Sequence, residues 1–174
     1  NFYIGTVDGM MYYNTHSERL YLLKLNLNSN CRIYQIMLSR DKIWVASNMG
    51  LLLIHPQKTI DPNTTLQAQV LLPDSSHKRT PQDNIVNALF YTPGSPSLWV
   101  GTNGALYELD LKTLVFQLIN SFNQNSIRGI AKYNNNLIAS SWDGGVFLVN
   151  ISKHVLENDA FIIAVNRIIG NKRV

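Results

Sequence analysis

The sequence contains a single cysteine, Cys31, among 174 residues. An internal disulfide and a cysteine-built zinc site are therefore excluded, and the redox compartment stays open. Charged residues are scarce as well: they make up 15% of the chain, against about 25% in soluble domains generally. Polarity comes instead from 20 asparagines, most of them lying between apolar runs. No apolar run approaches the ~20 residues of a membrane-spanning helix, so no membrane contact by this segment is expected. There is no initiating Met and no leader, which reads as a processed chain or an excised piece. The net charge of +4 is spread along the chain, with His77-Lys78-Arg79 and Lys172-Arg173 the densest clusters. A nucleic-acid footprint would be concentrated on one face, so no nucleic-acid partner is expected. The histidines His16, His55, His77 and His154 stand at no metal-ligand spacing, and no G-x-S-x-G, P-loop or H-E-x-x-H motif is present. The expectation is a chain with no metal, no cofactor and no catalytic residues. What is abundant is apolar material, 45% of the residues, enough for one domain with a core.

A repeat organises that material. Its copies read Phe2-Tyr3-Ile4-Gly5-Thr6, Ile43-Trp44-Val45-Ala46-Ser47, Leu98-Trp99-Val100-Gly101-Thr102 and Leu137-Ile138-Ala139-Ser140-Ser141. The fourth position is small in each copy and the fifth carries a hydroxyl. Successive small residues stand 41, 55 and 39 residues apart. Each copy continues into a turn signal: Asp8-Gly9, Asn48-Met49-Gly50, Asn103-Gly104 and Asp143-Gly144. Such pairs supply the positive φ angles that tight hairpins need. A second apolar run follows each turn (10–13, 51–54, 105–109 and 146–149). A third follows at 20–25, 66–72 and 114–119, and more weakly at 152–156. Another apolar segment precedes the later copies: Ile33-Tyr34-Gln35-Ile36, Ile85 to Tyr91 and Ile127-Arg128-Gly129-Ile130. Val165-Asn166-Arg167-Ile168 has the same form.

The unit is thus four short strands in about 40 residues, the period of a propeller blade. Several runs, such as Leu51-Leu52-Leu53-Ile54, are apolar on both faces rather than alternating. Both faces must then be covered, as they are when sheets stack radially. The fold class expected is all-β, a β-propeller of four-stranded blades with four repeats in this chain, itself complete or part of a larger wheel. A β-sandwich is the competing reading. The repeats fall at about 1–30, 31–82, 83–124 and 125–160, with 161–174 supplying a first strand that completes the N-terminal blade. The small residue would occupy a crowded place near the axis, and Tyr3, Trp44 and Trp99 would fill the gaps between blades.

Leu98-Trp99-Val100-Gly101-Thr102-Asn103-Gly104-Ala105-Leu106-Tyr107 resembles the two-component regulator propeller repeat. Asn125 to Ile130, continued by Leu137 to Val149, resembles a second such unit. The resemblance implies the extracytoplasmic sensor region of a bacterial hybrid two-component protein, periplasmic or otherwise outside the cytoplasm. Its parent would be membrane-anchored, and its ligand an oligosaccharide or other small molecule. Such sensor regions carry more repeats than four, and signal output would lie in other segments.

Ligand contacts are expected where the second-to-third strand turns and the inter-blade links share one face around the channel mouth. The candidate ligand-binding residues are Trp142, Asp143, Asp8, Asn48, Asn103, Arg128 and Arg32. Trp142 stands out, because a Trp in a turn either stacks on a ligand such as a sugar or packs on an adjacent loop. Asp8 and Asp143 occupy turns read as equivalent. They serve as turn residues or, in a propeller lyase resembling streptogramin lyase, as a carboxylate pair. A protein-interaction scaffold without a small ligand is the alternative function. The second copy carries an insertion of about 14 residues, long enough to be functional or mobile. Pairing of 165–169 with Phe2–Thr6 would close a wheel within one chain, or between two chains as a strand-exchanged homodimer.

Overall fold

The four copies fold as four sheets of four strands. The computed structural model describes residues 1–27, 30–39, 41–73, 84–119, 126–142, 144–151 and 155–156. In the first copy β1 (Phe2–Thr6), β2 (Gly9–Asn14) and β3 (Arg19–Leu25) form an antiparallel meander. The second copy supplies β4 (Ile33–Ser39), β5 (Lys42–Ser47), β6 (Gly50–Ile54), a short β7 (Thr65–Leu66) and β8 (Ala68–Leu71). The third supplies β9 (Val86–Phe90), β10 (Ser97–Thr102), β11 (Leu106–Asp110) and β12 (Phe116–Leu118). The fourth supplies β13 (Ile127–Tyr133), β14 (Asn136–Ser141), β15 (Gly145–Asn150) and β16 (Val155–Leu156). The innermost strands follow one another around the axis, β1 against β4, β4 against β9 and β9 against β13. Sheets stacked in this way are the blades of a β-propeller.

Each interface between consecutive blades is an apolar core of its own. Met10, Tyr12 and Leu23 of blade one meet Ile33, Val45, Leu52 and Ile54 of blade two. Trp44, Ala46, Leu51 and Leu53 of blade two meet Val86, Leu89, Leu98 and Val100 of blade three. Trp99, Leu106 and Ile119 of blade three meet Ile127, Leu137 and Ala139 of blade four. Runs apolar on both faces are thereby covered on both faces. Trp44 and Trp99 are buried in these interfaces, as expected, while Tyr3 is half-buried.

The two constant positions of the repeat have separate physical causes. The small residue makes room for the neighbouring blade. A β-carbon built on Gly5 would lie 2.5 Å from Ile33 Cγ2, and one on Gly101 would lie 2.6 Å from Ile127 Cγ2. The hydroxyl closes the hairpin turn. Thr6 Oγ1, Ser47 Oγ and Thr102 Oγ1 donate to the carbonyls of Gly9, Gly50 and Ala105, at 2.9, 2.8 and 3.1 Å. The same oxygens accept turn N–H groups from Asp8, Met49 and Gly104, and Ser141 Oγ accepts one from Gly144. Backbone groups that a two-residue turn would leave exposed are satisfied within the turn.

The insertion corrects one strand expectation. Residues 66–72 do not form a single outer strand. Thr65–Leu66 pairs in parallel with Lys24 and Leu25 on the outer edge of blade one, and only Ala68–Leu71 joins blade two. Asn26 N donates to Leu66 O at 3.2 Å, and Asn26 Oδ1 accepts from Ala68 N at 2.6 Å. Leu66 is fully buried in the core between blades one and two. This stretch is therefore a strap that leaves blade two, covers the edge of blade one and returns.

Blade one presents its other face to solvent. Phe2, Tyr13 and Leu20 lie in register across its three strands, as do Ile4, Met11 and Leu22. Phe2 and Leu22 are each 60% exposed. Beside this face, Tyr3, Ile4 and Gly5 of β1 and Ile33 to Ile36 of β4 line an open groove along the inner edge of β1. The strand expected to cover that edge, 165–169, lies outside the described residues, as does residues 74–83 of the inserted loop.

Candidate functional site

The innermost strands of blades two to four share an irregularity. Register slips by one residue between Ile33 and Gln35, between Val86 and Ala88, and between Ile127 and Gly129. The unpaired residues are Tyr34, Asn87 and Arg128. A bulge of this kind redirects its side chain. In blades three and four the redirected residues meet. Arg128 Nη1 donates to Asn87 Oδ1 at 2.9 Å. Asn87 Nδ2 donates to Asn103 Oδ1 at 2.9 Å and to the Ile127 carbonyl at 3.2 Å. Ser126 Oγ donates to the same Asn103 oxygen at 3.3 Å. The Arg128 guanidinium lies 5.8 Å from the centroid of the Trp142 ring.

A gradient of burial runs through this group. Asn87 is 8% exposed and spends both ends of its amide inside the cluster, while Asn103 and Ser126 are half-buried. Arg128 is exposed and Trp142 is 82% exposed. Arg128 bonds to a neutral amide rather than a carboxylate, so this contact leaves its charge intact and most of its N–H groups unspent. With a cation on one side, the ring of Trp142 keeps a second face for a ligand. The arrangement offers an aromatic platform, a fixed cation and an amide rim.

Three of the seven sequence candidates, Asn103, Arg128 and Trp142, come together here. Arg32 and Asn48 pair with each other instead, Arg32 through its backbone alone. Arg32 N donates to Asn48 Oδ1 at 2.8 Å, and Asn48 N donates to Arg32 O at 3.1 Å. The amide of Asn48 thus holds a link in place. The same backbone bond recurs from Asn103 N to Ile85 O and from Trp142 N to Ser126 O. Asn48, Asn103 and Trp142 are therefore equivalent, each directly following the hydroxyl residue. Asp8 stands one position later and so is not their counterpart. It lines a separate depression with Leu23, Leu27, Asn30 and Cys31. Burial raises the thiol pKa of Cys31, partly opposed by its interaction with the Ser47 hydroxyl. Asp143 lies outside the described residues. Asn87 was missed in the sequence because it sits inside the apolar segment 85–91, where its form gives no sign of a bulge.

No family model matches the chain, and no curated protein matches it. Solved structures do. One is the extracellular domain assigned to the hybrid two-component system BT4673 of B. thetaiotaomicron, at 25% identity and a TM-score of 0.69. The match covers 91% of this chain and 21% of that one. That domain is of the kind that the repeat resembles. The corresponding domain of the two-component system BT3049 of the same organism matches at 16% identity and a TM-score of 0.62, covering 87% of this chain and 20% of that one. The fold is also that of the Cps50 (Swd1) β-propeller domain of Myceliophteria thermophila, at 14% identity and a TM-score of 0.53, covering 90% and 64% of the two chains. The chain spans about a fifth of the length of the two-component extracellular domains it matches.

Proposed function

We propose that this chain is part of the extracytoplasmic sensing region of a two-component signalling protein. Its ligand, a carbohydrate or a similar hydroxyl-rich small molecule, binds over Trp142 and Arg128. The observation that carries the reading is the pairing of a Trp that is 82% exposed with a guanidinium anchored from beneath by a buried Asn. The apolar face of a sugar ring stacks on indole, and guanidinium N–H groups and amides donate to its hydroxyls or carboxylate. Asn87 does not reach the ligand; it fixes Arg128 and Asn103 in advance, which reduces the entropy lost on binding. The likeness to extracellular domains of two-component systems supports the location and the signalling role.

The test is a glycan-array screen of the chain followed by calorimetry on Trp142→Ala and Arg128→Ala. Each variant should keep the parent's melting temperature and bind the selected glycan at least roughly tenfold more weakly, a loss of about 1.4 kcal/mol. A glycan bound equally well by both variants overturns the site.

The exposed apolar face of blade one favours a second reading, a scaffold that docks another protein or a further blade. In that case Leu22→Asp abolishes partner binding, while Trp142→Ala leaves it intact.

A further inference from the structure

A second constellation of donors lies on the blade-two to blade-three boundary, away from the Trp142 cluster. The β4–β5 hairpin brings Ser39 and Lys42 to one place, and β5 carries Trp44 beside them. Together with Leu111 of blade three these residues line a cavity of about 70 Å³. Two of the lining side chains are buried and unsatisfied: among the described residues, neither Ser39 Oγ nor Trp44 Nε1 has a hydrogen-bond partner. Ser39 is 6% exposed and Trp44 1%. The Lys42 ammonium lies 5.8 Å from the Trp44 ring centroid.

The donor inventory decides what fits. An indole N–H and an ammonium can only donate, and a serine hydroxyl can donate as well as accept. Among the described residues, three donors, one of them cationic, line this space, and the remaining lining residue, Leu111, is apolar. A buried donor left unpaired is costly, and a negatively charged acceptor relieves that cost most strongly. We propose that this cavity binds a small monocarboxylate, its oxygens taking the Trp44 and Ser39 donors and the Lys42 charge while its short alkyl group meets Leu111. The small space, with Leu111 as its apolar wall, suits formate or acetate better than a chain of four carbons.

The experiment is a titration of the chain with sodium formate, acetate and butyrate at constant ionic strength, with neutral acetamide as the uncharged counterpart. The readout is the Trp44 indole N–H resonance in a ¹⁵N-correlated spectrum, assigned by its loss in Trp44→Phe. Formate and acetate should shift that resonance saturably, and acetamide and butyrate should not. Lys42→Gln, on a half-buried residue, should keep the fold and weaken acetate by roughly tenfold or more. Ser39→Ala should weaken it as well. The absence of a saturable shift with acetate identifies a water-filled cavity and overturns the proposal. So does an equal affinity for acetate in Lys42→Gln, or for butyrate in the parent.

Discussion

Ile127, at the start of blade four's inner strand, occupies the space that a side chain on Gly101 of blade three would need. The same relationship joins Ile33 to Gly5 two repeats earlier. At the interface between them, Ala46 faces a core containing Val86 rather than Ile. Side-chain bulk is thus traded across the blade boundary, a smaller inner-strand residue accompanying a larger second-strand one. Gly101→Ala should destabilise the domain by ~1–3 kcal/mol, as overpacking generally does. In an Ile127→Ala background the same change should cost markedly less, since the opposing Cγ2 is gone. Urea unfolding of the four proteins measures the coupling, and strict additivity would detach the small position from the blade contact.

Asn87 should behave as a positioning residue. Asn87→Ala removes the acceptor for Arg128 and the donor to Asn103, at a cost of ~1–3 kcal/mol. It should also move the Trp142 indole resonance, because Arg128 loses its anchor. Asn48→Ala breaks a link bond elsewhere and should leave that resonance in place. Two-dimensional spectra of the variants distinguish the cases.

The strap should couple blades one and two. Leu66→Ala empties a fully buried site and should cost ~2–5 kcal/mol. Its local signature is faster hydrogen exchange at Asn26, whose N–H is bonded to the Leu66 carbonyl. An Asn26 amide as protected as in the parent would show that blade one holds its edge without β7.

Asp110 ties the turn after β11. Its carboxylate accepts from Thr113 N at 2.7 Å, Thr113 Oγ1 at 2.9 Å and Lys112 N at 2.9 Å. These bonds hold its pKa below the ordinary value, those from Thr113 most strongly and Lys112 next. A depressed carboxylate pKa stabilises the fold above the unfolded-state value of about 3.9, and that contribution disappears as pH falls through the folded value. Asp110→Ala should therefore melt lower than the parent at pH 7, with the gap narrowing below about pH 4. A gap constant down to pH 2 would remove the carboxylate as its cause.

The four repeats, the four-stranded blade and the crowded small position were legible because they depend on local pattern repeated four times. The hydroxyl position was visible as a regularity, but its work in closing the turn required the backbone geometry of the hairpin. The bulges at Tyr34, Asn87 and Arg128 were hidden because a register slip depends on which residues face each other across two strands, and no single strand encodes that. The same reason conceals the strap. Residues 66–72 read as one apolar run, and only the edge of blade one decides that Leu66 belongs to a different sheet from Val70. In the candidate site Trp142 and Arg128 were recognisable by type, whereas the Asn that anchors Arg128 looked like an interruption in a core strand.

β7 is encoded in the second repeat and built into the first blade, so the unit of heredity and the unit of folding do not coincide here. Copying or deleting the second repeat alone would strip blade one of its outermost strand. Transplanting that repeat elsewhere would carry Leu66 into a setting with no edge to receive it. Among the described residues, β9–β12 and β13–β16 each stay within one blade, whereas the first two repeats must be inherited as a pair.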